Sequence, residues 1–139
     1  MKLTYFDLGG RAACIRMLLA HAKVDFEDCR VTGQVWADLK ASGKCPNGQV
    51  PILEDEGRTY CQSTAILRYL GIKLGYYSGN DANKAYDADY AIACVDDIWN
   101  WEFVSCYFAK EAVCQEKIDM TIVKQKKLLD CLTVHLGEK

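Results

Sequence analysis

The residues best suited to binding or catalysis lie where a helix is predicted to begin. Gln62 and Ser63 precede apolar residues at helical spacing. A helix amino terminus offers N–H groups without intrahelical partners and about half a positive charge. Two polar side chains add donors there, and serine is a suitable cap residue. The pattern indicates a site for a small carboxylate, while a capping Ser63 and a solvated Gln62 would explain the same residues.

A second candidate is the Val50–Pro51 dipeptide, which follows the loop ASGKCPNGQ and begins a short apolar run. Proline is tolerated at the start of a strand because it has no N–H for the ladder. A cis bond would turn the main chain of Val50 toward a ligand, whereas a trans bond would make Pro51 an ordinary strand-start residue. Unpaired backbone groups at Val50 would suit an extended peptide bound by strand addition.

A third candidate is Tyr5, which lies at the end of an alternating run shortly before Gly9–Gly10–Arg11. A phenol beside a helix start can donate a hydrogen bond to a thiolate and so stabilise the charged sulfur. An amphipathic tyrosine of the core is the other interpretation of this position.

Alternating strand and helix patterns predict the elements that position these residues. A strand–helix–strand unit comes first, and a hairpin and a helix follow, which is typical of a mixed four-stranded sheet with helices packed on it. The predicted strands are 2–6, 26–31, 50–53 and 58–61, the turn of the hairpin is 54–57, and the predicted helices are 11–22, 34–40 and the one that opens at Ser63.

After a linker at 75–81, the remaining residues are predicted to be all helical. Residues 82–112 contain no Gly or Pro and carry two apolar stripes, which predicts burial on both sides of that helix. A last helix has apolar positions at alternating steps of four and three, which is typical of a packing seam. The stripes are Tyr86, Tyr90, Ala93, Asp97 and Trp101 in one and Ile92, Val95, Trp99 and Phe103 in the other, and the seam is Ile118, Ile122, Gln125, Leu129, Leu132 and Leu136.

The charge and the first residues of the 139-residue chain bear on its partners and location. With 17 basic and 19 acidic side chains the net charge is −2, so no field steers the chain to nucleic acid or to an anionic membrane. Its apolar runs are too short to span a bilayer. The start MKLTYFDLGG lacks the apolar region of a signal peptide, which predicts a cytoplasmic protein.

The eight cysteines include no CxxC pair. Without a secretory signal, reduced thiols are expected, and buried free cysteines behave as small apolar residues. The two histidines, His21 and His135, are far apart in sequence, so no metal site is predicted. The spacing also disfavours dithiol redox catalysis.

Taken together, these segments resemble the glutathione transferases, most closely the sigma class and its pi and mu relatives. In KLTYFDLGGRAACIR, Tyr5 matches the catalytic tyrosine of the family and Arg11 matches the arginine that supports it. Trp36 and Lys40 match residues that line the site for the glycine carboxylate of glutathione. The resemblance covers nearly all of residues 2–74, and four separated motifs fall in family order.

The same resemblance continues through the two remaining motifs. GQVPILED supplies Gln49, Val50 and a proline, Pro51, that is cis in the family. CQSTAILRYL supplies Gln62 and Ser63, the pair that holds the γ-glutamyl group. Glutathione is therefore the expected co-substrate, with no metal.

The resemblance implies a thioredoxin-like α/β domain at 1–76 that binds glutathione. It also implies a partial all-helical domain of two long helices at 82–139. The implied activity is conjugation or isomerisation of small electrophiles in detoxification, including prostaglandin-like isomerisation, with a tyrosine hydroxyl stabilising the thiolate. A cytoplasmic homodimer is the expected assembly.

The chain departs from the family pattern at several points. Gly9 replaces a larger residue at the mouth of the site, and Asn100 falls roughly where the family has an acid that reaches glutathione in the neighbouring subunit. Asp96 and Asp97 are the nearby substitutes for that acid. The family's helical domain is also longer, which implies that the apolar faces of 86–103 and 118–136 are exposed unless a partner buries them.

Two other functions compete with the transferase. A binding or structural member of the fold would keep its affinity for glutathione and lose most catalysis, because its electrophile pocket is incomplete. A redox protein would use one of the cysteines near the predicted site, which are Cys14 and Cys61.

Overall fold

A mixed four-stranded sheet forms the centre of the first part of the chain. The computed structural model describes residues 1–99 and 115–137, and the chain divides into two units, Met1–Ser78 and Gly79–Lys139. The strands of the first unit are β1 Lys2–Phe6, β2 Glu27–Val31, β3 Ile52–Asp55 and β4 Arg58–Cys61. Their spatial order is β2-β1-β3-β4, with β1 parallel to β2, β1 antiparallel to β3 and β3 antiparallel to β4. This confirms the predicted mixed sheet.

Three helices complete the first unit: α1 Ala13–His21, α2 Gly33–Ala41 and α3 Ser63–Lys73. A short 3-10 turn, Gly10–Ala12, precedes α1. Strands and helices supply one apolar core, in which burial of aliphatic side chains is the main stabilising term. Its fully buried members come from β1, β3, α1 and α3 and are Leu3, Ile15, Leu19, Leu53, Ile66 and Leu70.

The first strand of the predicted hairpin is shifted by two residues, whereas the second strand has the predicted bounds, 58–61. The predicted strand began at Val50, but the ladder begins at Ile52 because the preceding proline has no N–H to donate. The predicted four-residue turn began at Glu54, which is instead paired within β3. The true turn is Glu56–Gly57, with φ of 49° and 78°. Positive φ at both central residues suits a two-residue hairpin turn.

Two helices form the described part of the second unit. They are α4 Ala82–Ile98 and α5 Gln115–Gly137. The carboxylate of Asp81 caps α4 by accepting hydrogen bonds from the Asn83 and Lys84 N–H groups, both at 3.1 Å. His135 of α5 lies 3.1 Å from a carboxylate oxygen of Asp87 on α4. Among the described helices, none is long and apolar enough to cross a membrane.

The predicted packing pattern of these helices is only half right. Ile122, Leu129 and Leu136, three of the six predicted seam residues, are more than half exposed. Tyr86, from the stripe predicted to be buried, is exposed as well. In the described part of this unit α4 and α5 pack against each other, so one face of each helix is covered. Trp101 and Phe103 lie outside the described residues.

Candidate functional site

Three neighbouring strands bring the candidate residues to one end of the sheet. Ile52, the first residue of β3, pairs with Thr4 on β1 and with Cys61 on β4. Tyr5 is the next residue along β1, and Gln62 is the next residue after β4. Both therefore lie just past the start of β3, beside the cis-proline that precedes it. The register alone brings Tyr5 beside Pro51 and Gln62, which follow it by 46 and 57 positions in the sequence.

The peptide bond between Val50 and Pro51 is cis, as the resemblance implied. Pro51 is buried, Val50 is half-buried and Gln49 is exposed. Because the β3 ladder begins at Ile52, the main chain of Val50 lies beyond the last strand pairing. This is the position at which an extended peptide can add to the sheet.

The start of α3 differs from the sequence prediction in one detail. Gln62 occupies the N-cap position and Ser63 is the first helical residue, so Ser63 is not the cap. The first intrahelical bond runs from the Ile66 N–H to the Gln62 carbonyl at 2.9 Å. The N–H groups of the intervening residues therefore face out of the helix end, where an anion is stabilised.

The backbone of Gln62 is unusual for a residue with a side chain. Its φ is 71° and its ψ is 114°, in a region that L-residues rarely occupy and that costs about 1 to 3 kcal/mol. Such outliers concentrate at ligand sites, where the surrounding structure enforces them. The exposed side chain of Gln62 and the buried Ser63 thus mark the same end of the sheet as Tyr5.

Tyr5 is 7% exposed, and its hydroxyl oxygen accepts a hydrogen bond from the Arg11 N–H at 3.1 Å. The main chain of Arg11 thus makes this contact. Because the oxygen already accepts, the hydroxyl hydrogen is left to donate to another group. Gly10 makes the close approach possible, since a Cβ atom there would lie 2.6 Å from the Tyr5 oxygen. Its φ of 46° is a second reason that glycine is needed at this position.

Arg16 was not among the predicted site residues. Its guanidinium lies 5.9 Å from the centroid of the Tyr5 ring and 3.0 Å from a carboxylate oxygen of Asp28. Arg16 follows Arg11 by five positions, and nothing in the local pattern separates it from an exposed helix residue. Arg16 is placed beside Tyr5 by its contact with Asp28 on β2, which exists only in the folded chain.

Helix α2 places Trp36 and Lys40 at the same end of the sheet. The Trp36 ring meets the Phe6 ring edge-on with centroids 5.3 Å apart, and Phe6 is 5.4 Å from Tyr5 by the same measure. The Lys40 ammonium lies 5.9 Å from the Trp36 ring centroid. The Lys40 side chain also runs close to Gly48, just before the cis-proline segment. A lysine there is suited to a second carboxylate of a bound peptide.

The described cysteines carry free thiols, namely Cys14, Cys29, Cys45, Cys61, Cys94 and Cys131. Burial raises the pKa of Cys14 and of Cys45. A raised pKa disfavours the reactive thiolate, so Cys14 is a poor redox nucleophile. Within residues 1–99 and 115–137, no group of three potential ligands is arranged to hold a metal ion.

Three residues were considered for the acid expected to reach a neighbouring subunit. Asn100 lies outside the described residues. Asp96 is half-buried on α4 and Asp97 is exposed.

The four-stranded order and the cis-proline before β3 define the first unit as a thioredoxin-like domain, and a helical part follows it. The family model of the glutathione S-transferase N-terminal domain matches residues 1–71, which is more than half of the chain. The chain therefore belongs to the glutathione S-transferase family, which is a family of enzymes.

Individual relatives agree with this assignment. Hematopoietic prostaglandin D synthase of Gallus gallus is 37% identical over 140 residues, covering 99% of this chain and 67% of that protein. Glutathione S-transferase 2 of Manduca sexta is 44% identical over 82 residues, covering 59% and 39%. The crystal structure of the glutathione S-transferase from Ascaris lumbricoides superposes with a TM-score of 0.82 at 32% identity, over 99% of this chain and 68% of that one. The matched part of the chain spans about two thirds of the avian relative and of the Ascaris lumbricoides structure, and 39% of the Manduca sexta protein.

Proposed function

We propose that this chain binds glutathione at the end of the sheet and transfers its thiolate to small electrophiles. An extended tripeptide suits the main chain at Val50. The α-carboxylate of its γ-glutamyl group suits the outward N–H groups and polar side chains of Gln62 and Ser63 at the start of α3.

The glycine end of glutathione is assigned to the α2 side of the site. Lys40 supplies a positive charge for the glycine carboxylate, and Trp36 forms the adjoining wall. Gln49 contributes an exposed amide just before the cis-proline. Arg11 acts through its N–H group, which holds the Tyr5 oxygen.

The observation that carries the proposal is the hydrogen bond from the Arg11 N–H to the Tyr5 hydroxyl at 3.1 Å. It leaves the phenol hydrogen to donate to the sulfur of bound glutathione. A thiol with a pKa of about 8.5 is mostly protonated at neutral pH, and each unit by which the pKa falls gives about ten times more thiolate. The thiolate then attacks the electrophilic carbon, and the leaving group departs with the electron pair.

Replacing Tyr5 by Phe removes the donor and keeps the ring. We expect the dissociation constant for glutathione to stay nearly unchanged, while kcat with 1-chloro-2,4-dinitrobenzene falls at least about tenfold, because the bound thiol returns toward its ordinary pKa. Calorimetry measures the first quantity, and initial rates measure the second. The pH at which the bound thiol ionises should rise in the same variant.

Tyr76→Phe is the matched control, since Tyr76 is an exposed tyrosine of the same unit. It should change neither binding nor turnover. Equal kcat in the wild type and Tyr5→Phe would remove Tyr5 from the mechanism.

Finer assignments belong to the same proposal. We propose a sigma-class relationship and prostaglandin-like substrates among the electrophiles, because the avian relative bears a prostaglandin synthase name. We also propose a glutathione-binding domain at 1–76, a helical domain at 82–139, and a cytoplasmic homodimer active in detoxification. Asp96 and Asp97 are the candidates for contact across that dimer.

A second function is favoured by the exposed residues of α5. Ile122, Leu129 and Leu136 leave an apolar face uncovered in the described part of the helical unit. A chain whose electrophile pocket is incomplete would bind glutathione without turning it over. Calorimetry that detects binding, combined with assays that detect no conjugation, would favour this binding role over the transferase.

A further inference from the structure

The loop between β1 and α1 is tethered by an arginine of α1. The Arg16 Nη1 atom donates a hydrogen bond to the Leu8 carbonyl at 2.7 Å, and the Gly9 carbonyl lies 3.5 Å from the same nitrogen. The guanidinium also lies 5.9 Å from the Tyr5 ring centroid. The Arg16 side chain thus contacts both the loop and Tyr5. The loop carries the Arg11 N–H, which must reach the Tyr5 oxygen.

Arg16 is itself fixed by the sheet. Its Nε donates to Asp28 on β2 at 3.0 Å, and the second Asp28 oxygen accepts from Arg30 Nε at 2.9 Å. Arg30 Nη1 then donates to Asp7, at the start of the loop, at 2.8 Å. The Arg16 and Asp28 side chains are only 15% and 26% exposed, so water screens their attraction less than it does at an open surface. The pair gives the loop a rigid anchor.

The loop needs such an anchor because of its composition. Gly9 and Gly10 are consecutive, and glycine is the residue with the largest backbone freedom to lose on folding. Gly10 must also hold a φ of 46° for the next residue, Arg11, to present its N–H to Tyr5. Because the two glycines have no side chains to pack, contacts with backbone carbonyls are the direct way to restrain this segment.

We propose that Arg16 is a positioning residue for Tyr5, which acts by fixing the Leu8–Gly10 backbone so that the Arg11 N–H stays on the phenol oxygen. The inference rests on the proposed catalytic role of Tyr5. Loss of Arg16 would let the loop move and would misdirect the hydroxyl hydrogen, without removing any group that contacts glutathione.

Amide hydrogen exchange tests this directly, without reference to activity. In Arg16→Met we expect the Arg11 amide to exchange roughly tenfold faster than in the wild type, since the loop no longer holds this N–H on the Tyr5 oxygen. Arg58→Met is the matched control, because Arg58 also lies over a tyrosine ring, 5.1 Å from the Tyr60 centroid. It should leave Arg11 exchange unchanged. Unchanged Arg11 exchange in Arg16→Met would overturn the proposal.

Kinetics provide the second measurement. Arg16→Met should lower kcat about tenfold and leave the KM for glutathione within about twofold, because misplacement of a catalytic group affects the reaction more than binding. Arg16→Lys keeps a positive charge beside Asp28 but loses the forked donor. This variant should fold like the wild type and recover only part of the kcat that Arg16→Met loses. Combined with Tyr5→Phe, the Arg16→Met change should cost little more. Additive losses in the double variant would mean that Arg16 acts independently of Tyr5 and would contradict the proposal.

The two proposals fail in different ways. A wild-type chain that binds glutathione without turnover would refute the transferase function, and Arg11 exchange would then decide the role of Arg16 alone. Turnover that depends on Tyr5 and is insensitive to Arg16→Met would keep the function and overturn the positioning role.

Discussion

The two units of the chain bury their apolar residues very differently. In the first unit, sheet and helices enclose six large aliphatic side chains completely, among them Leu53 and Leu70. In the described part of the second unit, α5 presents apolar residues such as Leu129, which is 54% exposed. A closed core holds its backbone in one arrangement, because interior packing tolerates few alternatives.

This difference explains where the candidate site is found. Tyr5 lies on β1 and Gln62 precedes α3, and both elements supply fully buried side chains to the core. The backbone beside them can therefore hold a costly conformation such as the positive φ of Gln62. The described helices of the second unit cover each other on one side only. The candidate site therefore lies in the unit whose described residues are more closely packed.

The largest expected effect compares matched leucines in the two units. Leu70→Ala should lower the free energy of unfolding by about 3 to 4 kcal/mol, because it leaves a cavity in the closed core. Leu129→Ala removes the same atoms from a half-exposed position and should cost under about 1 kcal/mol. Denaturant unfolding of both variants measures the difference. Similar losses at the two positions would show that the α5 face is buried in solution.

The next effect tests how closely Tyr5 depends on its loop. Gly10→Ala should destabilise the fold by about 2 kcal/mol, because a Cβ atom at positive φ is strained and would also meet the Tyr5 hydroxyl. Turnover should fall as well, by more than the loss of folded protein accounts for, since the Tyr5 ring must move to make room for the Cβ atom. Thermal melting and initial rates with glutathione measure the two quantities.

Gly33 supplies the control for Gly10. Its φ of 50° is similar, and nothing lies within 4 Å of a Cβ atom built there. Gly33→Ala should therefore show the backbone strain alone, with normal turnover. If Gly10→Ala behaved in the same way, the close packing around Tyr5 would have no consequence for the reaction.

A smaller effect concerns acid stability. Asp55 is nearly buried and accepts hydrogen bonds from Lys73 and, at 2.8 Å, from the Tyr69 hydroxyl. The hydrogen bond from Lys73 is the main reason that the pKa of Asp55 is lowered. Its stabilisation is complete above the unfolded pKa of about 3.9 and is lost as the pH falls through the lower folded value. Asp55→Asn should cost about 1.5 kcal/mol at pH 7 and flatten the loss of stability below about pH 4.

Asp81 is the comparison from the second unit. Hydrogen bonds from the Lys84 and Asn83 N–H groups also lower the pKa of Asp81. Its side chain is much more exposed than that of Asp55, so water and salt screen it more strongly. Asp81→Asn should change the acid limb less than Asp55→Asn does. A larger change for Asp81→Asn would contradict the expectation that the more buried carboxylate, Asp55, contributes more to stability against acid.

The sequence predicted the sheet well because its signals are local. The runs at 2–6 and 58–61 became strands within those bounds, and Ser63 begins the predicted helix. The hairpin turn was misplaced because Glu54 and Asp55 resemble turn residues. Pairing with the neighbouring strand overrides that preference.

The site was predictable in part, for a related reason. Residues with a chemical signature of their own, such as Tyr5 and Ser63, stand out in the sequence. Arg16 and Asp28 do not, because an arginine on a helix and an aspartate on a strand are ordinary until the fold brings them together. The α5 seam was only half right for a different reason. A regular apolar pattern shows that a helix face is able to pack, but it does not show that a neighbouring element covers that face.

The backbone of Gln62 has a consequence for the tolerance of this protein to change. Glycine is the residue that relieves a positive φ, so Gln62→Gly would make the folded chain more stable and at the same time remove an amide from the candidate site. Selection for heat resistance alone would favour that substitution, whereas selection for ligand binding would oppose it. At position 62, folding stability and ligand binding therefore favour different residues.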